Sequence, residues 1–140
     1  MANVIYNAFK KNIMNGSIDL DTDTIKVALV TSSYTPDQDN HDYFDDITNE
    51  VTGTGYTAGG ATLTNKSVTQ DNTDNEGVFD ADDVTWSNST ITARGAVLYK
   101  DTGTASTSPL ICYFDFGEDK SSANGNFTIQ WNSEGIINLG

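Results

Sequence analysis

The sequence has few positive charges: 7 lysines and arginines stand against 20 aspartates and glutamates, which gives a formal net charge of -13. Proteins that bind DNA or RNA contact the phosphates largely through lysine and arginine and release counterions as they do so. An acidic surface is likewise repelled by the anionic lipids of a membrane. We therefore expect neither nucleic acid nor a membrane among the partners of this protein.

Cysteine and long apolar runs are also scarce. Cys112 is the only cysteine, so no disulfide can form within the chain. No segment approaches the roughly 20 apolar residues that cross a bilayer, and the first residues lack a charged leader followed by a small-residue cleavage site. We expect a soluble, unsecreted protein in which residues 1–140 form a single domain around one core.

Groups that could carry catalysis are few. His41 is the only imidazole, and a hydrolytic triad needs such a base to activate its nucleophile. Cys112 falls on the apolar face of a strongly patterned strand, which favours a packed, unreactive thiol. The many acidic residues allow carboxylate pairs of the kind that cleaves glycosides, but the pattern singles out none. The sequence therefore predicts no enzymatic activity.

Alternating aspartates make calcium the metal to consider. Three aspartates alternate within residues 19–23. If the first took position 1 of an EF-hand, Thr24 would stand where glycine is needed and Val30 where a bidentate glutamate is needed, which excludes that motif. A calcium site of another type could still be formed by oxygen ligands of this run or of the aspartates of residues 80–83. The alternative, which we favour, is that these aspartates form solvated acidic turns. We expect no metal and no cofactor.

One short helix is predicted at about residues 3–14. Apolar side chains recur every four residues from Ile5 through Phe9 to Ile13, which places them in one stripe. Asn3 is a candidate N-cap, and an Asn-Gly pair follows the last apolar residue as a stop signal. A helix this short is unstable alone, so its stripe must pack against the rest of the domain or a neighbouring subunit.

After this helix the pattern changes to period two. The clearest strands are predicted at 24–31, 110–116 and 127–131, with weaker candidates at 61–69, 82–87, 92–100 and 135–139. Polar turn clusters separate them, and two of these, at 87–90 and 121–126, are predicted to break the chain between strands. Seven or eight short strands predict a mainly β fold, an antiparallel sandwich or open barrel. We favour an antiparallel β-sandwich, with jelly-roll and immunoglobulin-like orders both open.

Alternation also predicts which side chains face the core. Leu110 and Cys112 share the apolar face of their strand, and Ile111 points the other way. Trp131 continues an inward-facing series of period two, so we expect it in the core. Trp86 is the remaining tryptophan, and an exposed ring there would suit stacking on a sugar.

Residues 32–46 form a long segment without a sustained period. Compact domains rarely keep a loop of about 15 residues without a use, and this one carries Tyr34, Tyr43 and Phe44 among several aspartates. We predict a contacting loop with these three aromatic residues as its interaction site. The alternative is that the rings fold back and cover the end of a sheet.

Five segments together resemble a known family. Residues 5–35, 55–69, 77–86, 96–117 and 126–139 are similar, in that order and spacing, to a widespread family of small structural proteins of tailed bacteriophages. The resemblance implies a virion component without catalytic residues, and for a protein of this size a head decoration or cement role.

The cement role in turn implies a partner and a location. A cement protein binds the major capsid protein on the capsid exterior, after folding in the host cytoplasm, and a homo-oligomer, a trimer at lattice three-folds, is the natural analogy. The alternatives are another virion part, such as a neck, fibre or tail adaptor, and a carbohydrate-binding adhesin module.

Overall fold

The computed structural model describes residues 3–140, so the first two residues of the predicted domain lie outside it. Within this range the chain forms one α-helix and eight β-strands. The helix α1 spans Asn7–Met14, and the strands are β1 (Val4–Ile5), β2 (Ile25–Val30), β3 (Ala61–Thr62), β4 (Ser67–Asp71), β5 (Glu76–Asp80), β6 (Val84–Lys100), β7 (Leu110–Ile129) and β8 (Ile137–Leu139). The predicted mainly β fold with one N-terminal helix is confirmed.

The strands form two antiparallel sheets. The larger sheet has the order β1-β7-β6-β2-β3, and the smaller has the order β4-β5-β8. One hydrophobic cluster contains residues of both sheets, which is the arrangement of a β-sandwich. No helix of the described part of the chain is long and apolar enough to span a bilayer.

The long hairpin of β6 and β7 is sharply bent. The ring centroids of Phe116 and Phe127 lie 6.3 Å apart, and those of Phe114 and Trp131 lie 5.4 Å apart. In a straight strand, residues 116 and 127 would be separated by about 35 Å. The half of the hairpin that lies away from its connecting loop therefore folds back over the half beside that loop.

Paired bulges lie within the far half of the hairpin. The register between β6 and β7 shifts on both sides of the pair Ser89–Gly125. Asn88 and Asn124, on opposite strands beside this pair, both have positive φ, at 51° and 48°. The predicted breaks at 87–90 and 121–126 are therefore wrong as turns between strands, because each is a bulge that the opposite strand accommodates.

Another bulge changes which side chains share a face. Leu98 pairs with Cys112 but Tyr99 pairs with Leu110, which leaves Ile111 as the extra residue of β7. Ile111 and Cys112 consequently pack in the cluster between the sheets, whereas Leu110 packs on the opposite face. The predicted shared face of Leu110 and Cys112 is wrong for this reason.

The N-terminal segment begins as a strand. Val4 pairs with Tyr113 and Ile5 with Cys112, so the helix starts at Asn7 rather than at about residue 3. The side chain of Asn3 does not cap the helix, because its Oδ1 accepts a hydrogen bond from the Asp115 N–H at 2.6 Å. The predicted start is wrong because a partner strand distant in sequence pairs with these residues.

The three residues of the predicted apolar stripe pack against the domain, although only Phe9 and Ile13 lie on α1 and Ile5 lies in β1. Phe9 is buried in the cluster between the sheets, and Ile5 and Ile13 pack partly buried against it. The stripe is thus part of the domain core.

Both faces of the larger sheet are covered. The inner cluster lies between the two sheets and is largely aliphatic, with Ile25, Val27, Leu29, Leu98, Ile111 and Ile136 among its buried members. The outer cluster lies on the opposite face and consists of Tyr6, Ala28, Val30, Tyr34, Val97, Tyr99, Leu110 and Tyr113. Residues 31–47 cover the outer cluster, since Tyr34 belongs to it and Phe44 and Ile47 pack against it.

Candidate functional site

Tyr34, the first of the three predicted contact residues, lies beneath the loop. Its side chain is only 4% exposed, and its ring packs 5.7 Å from those of His41 and Tyr113. The hydroxyl lies 2.7 Å from the Tyr6 hydroxyl and 2.9 Å from His41 Nδ1. Tyr34 therefore fastens the loop to the sheet and offers no free ring to a partner.

The direction of these hydrogen bonds follows from His41. The Asp37 N–H donates to His41 Nδ1 at 3.2 Å, so this nitrogen is an acceptor and cannot also carry a proton. The Tyr34 hydroxyl must then donate to the same nitrogen, and the Tyr6 hydroxyl donates to Tyr34. Burial raises the pKa of Tyr34 to about 12 and raises the pKa of Tyr6 further. Both phenols are therefore protonated in the folded protein at neutral pH.

Phe44, the second predicted contact residue, is half-buried. Its ring stacks on that of Tyr99 with a centroid distance of 4.1 Å and an interplanar angle of 18°. Its N–H donates to the Ser108 carbonyl at 2.8 Å. The alternative prediction, that the rings of this loop fold back onto the sheet, is therefore correct for Tyr34 and Phe44. They cover the outer face of the sheet, however, and not its end.

Tyr43 is the predicted contact residue that the loop presents to solvent. Its side chain is 41% exposed, although its backbone is bridged to Pro109. The Asp46 carboxylate accepts hydrogen bonds from the N–H groups of Asp42 and Tyr43, at 2.9 and 3.1 Å. An exposed aromatic ring on a backbone held in this way can bind with little loss of conformational entropy.

A second polar network holds residues 50–60 against β2, and the sequence did not predict it. The Glu50 carboxylate accepts hydrogen bonds from the Tyr56 hydroxyl at 2.5 Å and the Gly59 N–H at 2.7 Å. The same hydroxyl accepts the Leu29 N–H at 2.9 Å. Burial and the bond to Glu50 raise the pKa of Tyr56.

A glycine permits the close approach in this network. A Cβ on Gly60 would lie 1.8 Å from the Val27 carbonyl oxygen, and its φ is +83°. In the sequence, this glycine was the one feature that could have indicated the close packing of residues 50–60 against β2. The segment 55–60 therefore packs closely against β2.

The aspartates of residues 19–23 bind groups of this chain. Asp23 Oδ2 accepts the Asp19 N–H at 2.8 Å and lies 3.1 Å from Lys100 Nζ. The Asp23 carboxylate is therefore engaged by groups of this chain. The pKa of Asp19 is lowered and that of Asp21 is raised, because the two neighbouring carboxyls interact with each other.

The aspartates of residues 80–83 also accept hydrogen bonds from their neighbours. Asp80 accepts the Ala81 N–H at 2.9 Å, and Asp83 accepts the Trp131 N–H at 2.9 Å. A third acidic group, which the sequence did not single out, consists of Asp71, Asp74 and Glu76. Their carboxylate oxygens lie within 4.8 Å of one another at the turn between β4 and β5, close enough to share a cation.

The remaining candidate side chains are covered to different degrees. Cys112 is fully buried, and burial raises the pKa of its thiol, as expected for an unreactive cysteine. Trp86 is 6% exposed in the inner cluster, so its ring is not free to stack on a sugar. Trp131 packs partly buried against the same cluster, and its indole N–H donates to the Asp82 carbonyl at 2.9 Å.

Comparison with known proteins finds no relative. No family model matches the chain, and no curated protein or solved structure matches it.

Proposed function

We propose that this protein is a structural component of a tailed-bacteriophage virion, a decoration or cement protein that binds the major capsid protein on the outer surface of the head. The observation that carries the proposal is the ordered set of five segments that resemble small phage structural proteins. These segments supply α1 and most of the strands of both sheets. The resemblance thus extends over the framework of the fold and is not confined to one surface motif.

The charge of the molecule supports this role. Copies on a capsid are packed at high local concentration, and a net charge of -13 per chain keeps such a surface soluble. Repulsion between neighbouring copies is relieved by salt, whereas contacts with basic patches of the shell are weakened by it. The sign of the salt effect on occupancy therefore reports which interaction dominates.

The mode of binding follows from the lattice. A cement protein gains affinity by bridging several shell subunits at once, through contacts that are individually weak. A trimer placed on a three-fold axis of the shell would repeat each contact three times. Free protein should then bind isolated capsid subunits poorly and assembled capsids well.

Tyr43 is the proposed anchor of the contact. Buried aromatic residues often carry much of the energy of an interface, and this ring is 41% exposed beside Asp42 and Asp45. Tyr34 and Phe44 would contribute indirectly, because they hold the loop on the sheet.

The test is occupancy on expanded phage capsids, measured by cryo-microscopy and by copy ratio to the shell protein. We expect the wild type to decorate the capsid and Tyr43→Ser to lower occupancy with an unchanged fold. Met14→Ser removes another exposed apolar side chain, 86% exposed on α1, and serves as the matched control. If cryo-microscopy placed the protein at the neck or tail of the particle, it would have another role in the virion. Failure of the wild type to bind capsids would exclude the cement role.

A further inference from the structure

The outer edge of β4 is a free strand edge. β4 is the terminal strand of the smaller sheet, and among residues 3–140 the backbone of Ser67–Asp71 hydrogen-bonds only to β5. The register with β5 is regular along all five residues, without a bulge. The strand contains neither proline nor lysine, two residues with which natural proteins protect such edges. The edge is therefore available to pair with another strand.

The backbone groups that point outward can be assigned. The Phe79 carbonyl accepts the Ile136 N–H at 2.7 Å, so the backbone groups of Phe79 face β8. Val68 is the residue of β4 opposite Phe79. In an antiparallel ladder, residues of such a pair direct their N–H and C=O away from each other. Val68 therefore presents its N–H and C=O to an added strand, and Gln70 does so by alternation.

One face of the edge is apolar. Val68 is 50% exposed and borders an open, mainly apolar hollow that Ile13, Ile18 and Leu20 line together with Gly16, Asp19 and Asp21. Ile18 and Leu20 belong to the inner cluster, as does Phe79 opposite Val68. The hollow is thus the margin of the core, and an added strand would cover it with every second side chain.

The opposite face of the edge is acidic. Ser67, Thr69 and Asp71 line a shallow depression together with Asp80 and Glu134. Among residues 3–140, no lysine or arginine lines this depression. In an added strand, every second side chain would cover the hollow, and the side chains between them would point to the opposite face. There they would lie above the carboxylates of Asp71, Asp80 and Glu134, where basic groups are favoured.

We propose that the free edge of β4 adds a strand from a partner polypeptide, and that this segment alternates apolar with basic side chains. Backbone hydrogen bonds supply the general affinity of such strand addition, and the two faces supply the selectivity. A second copy of β4 fits poorly, because its five residues include one acidic and no basic side chain and each chain carries a net charge of -13. The proposal does not depend on a virion role.

The experiment uses the full chain, labelled with ¹⁵N, and a blocked nonapeptide of alternating valine and lysine. We expect amide shifts confined to Ser67–Asp71 and to the residues around the hollow and the acidic depression, and binding that weakens as salt is raised. A nonapeptide of alternating valine and glutamate should bind at least about tenfold more weakly, a difference of about 1.4 kcal/mol. Equal binding of the two peptides would overturn the proposal.

A pair of variants separates strand addition from adhesion of the peptide to the hollow. Val68→Pro removes an N–H that faces away from β5, so the ladder within the protein is kept. Val68→Thr changes the same side chain but retains the N–H. We expect the proline variant to lose at least about tenfold in affinity and the threonine variant to bind nearly as the wild type does. Equal loss in both, shifts at β8, or a dimer formed through β4 in sedimentation without peptide would each refute the proposal.

Discussion

The two faces of the larger sheet are both buried but differ in chemistry. The inner cluster is mostly aliphatic and is closed by the second sheet, whereas the outer cluster contains four tyrosines and is closed by a loop. A sheet can cover a wide apolar face with its own side chains, because its backbone groups are paired with each other. A loop must place its polar groups as well, and the buried phenols Tyr6 and Tyr34 supply hydroxyls that hydrogen-bond to each other and to His41. The comparison shows that a face covered by a second sheet can be almost purely aliphatic, whereas a face covered by a loop needs buried polar groups that hydrogen-bond to that loop.

The segment from Tyr6 to Phe9 connects the two clusters. Tyr6 is fully buried in the outer cluster, and Phe9, one helical turn later, is 3% exposed in the inner cluster. Damage to either cluster should therefore shift one common unfolding transition.

The largest effect is expected from the inner cluster. Phe9→Ala leaves a cavity between α1 and the sheets and should lower the free energy of unfolding by about 3–5 kcal/mol. Urea denaturation followed by circular dichroism measures it. Met14→Ala, in the same helix but 86% exposed, is the control and should change little. If Phe9→Ala kept its stability but lost self-association, the helix would be an oligomer contact.

A smaller effect is expected from the outer cluster. Tyr34→Phe removes the hydroxyl that donates to His41 and accepts from Tyr6, so the buried Tyr6 hydroxyl loses its acceptor, whereas His41 Nδ1 keeps the Asp37 N–H. The expected loss is about 1–3 kcal/mol, measured in the same denaturation experiment. Tyr43→Phe is the matched control because this ring is 41% exposed. Equal stability of the two variants would show that the hydroxyl chain contributes nothing.

Alkaline pH should destabilise the protein through the buried phenol of Tyr34 in the outer cluster. The pKa of Tyr34 is raised to about 12, so the folded state keeps a proton that the unfolded state releases near pH 10. This contribution is complete below about pH 10 and is lost as the pH rises towards 12. The free energy of unfolding should fall across this window, and more gradually in Tyr34→Phe. Identical pH profiles for the variant and the wild type would contradict this.

The smallest effect is expected at the surface beside the outer cluster. Arg94 Nε lies 2.8 Å from Asp115 Oδ1, and the two side chains are 35% and 38% exposed. The guanidinium lowers the pKa of Asp115. Exposed ion pairs contribute little, so Arg94→Gln should shift the melting temperature less than either cluster variant. The shift should shrink further at high salt. A shift as large as that of Tyr34→Phe would mean that the pair stabilises the sheet substantially.

The sequence by itself determined the strand pattern and the character of several side chains. Period two in residues 24–31 predicted β2, and the same period in 127–131 predicted the end of β7 with Phe127 and Ile129 buried. It also predicted the buried thiol of Cys112. These properties depend on the local alternation of apolar and polar residues, which one strand carries within itself.

Only the tertiary structure decided how the faces are covered and where the strands bend. Alternation indicates which residues share a face, but not whether a loop will cover the second face, so Tyr34 and Phe44 could not be assigned to the outer cluster from sequence. Bulges at Ser89 and Ile111 depend on the residues of the opposite strand. The free edge of β4 depends on the strand order, which no local pattern contains. In each case the deciding contact joins residues that are distant in the chain.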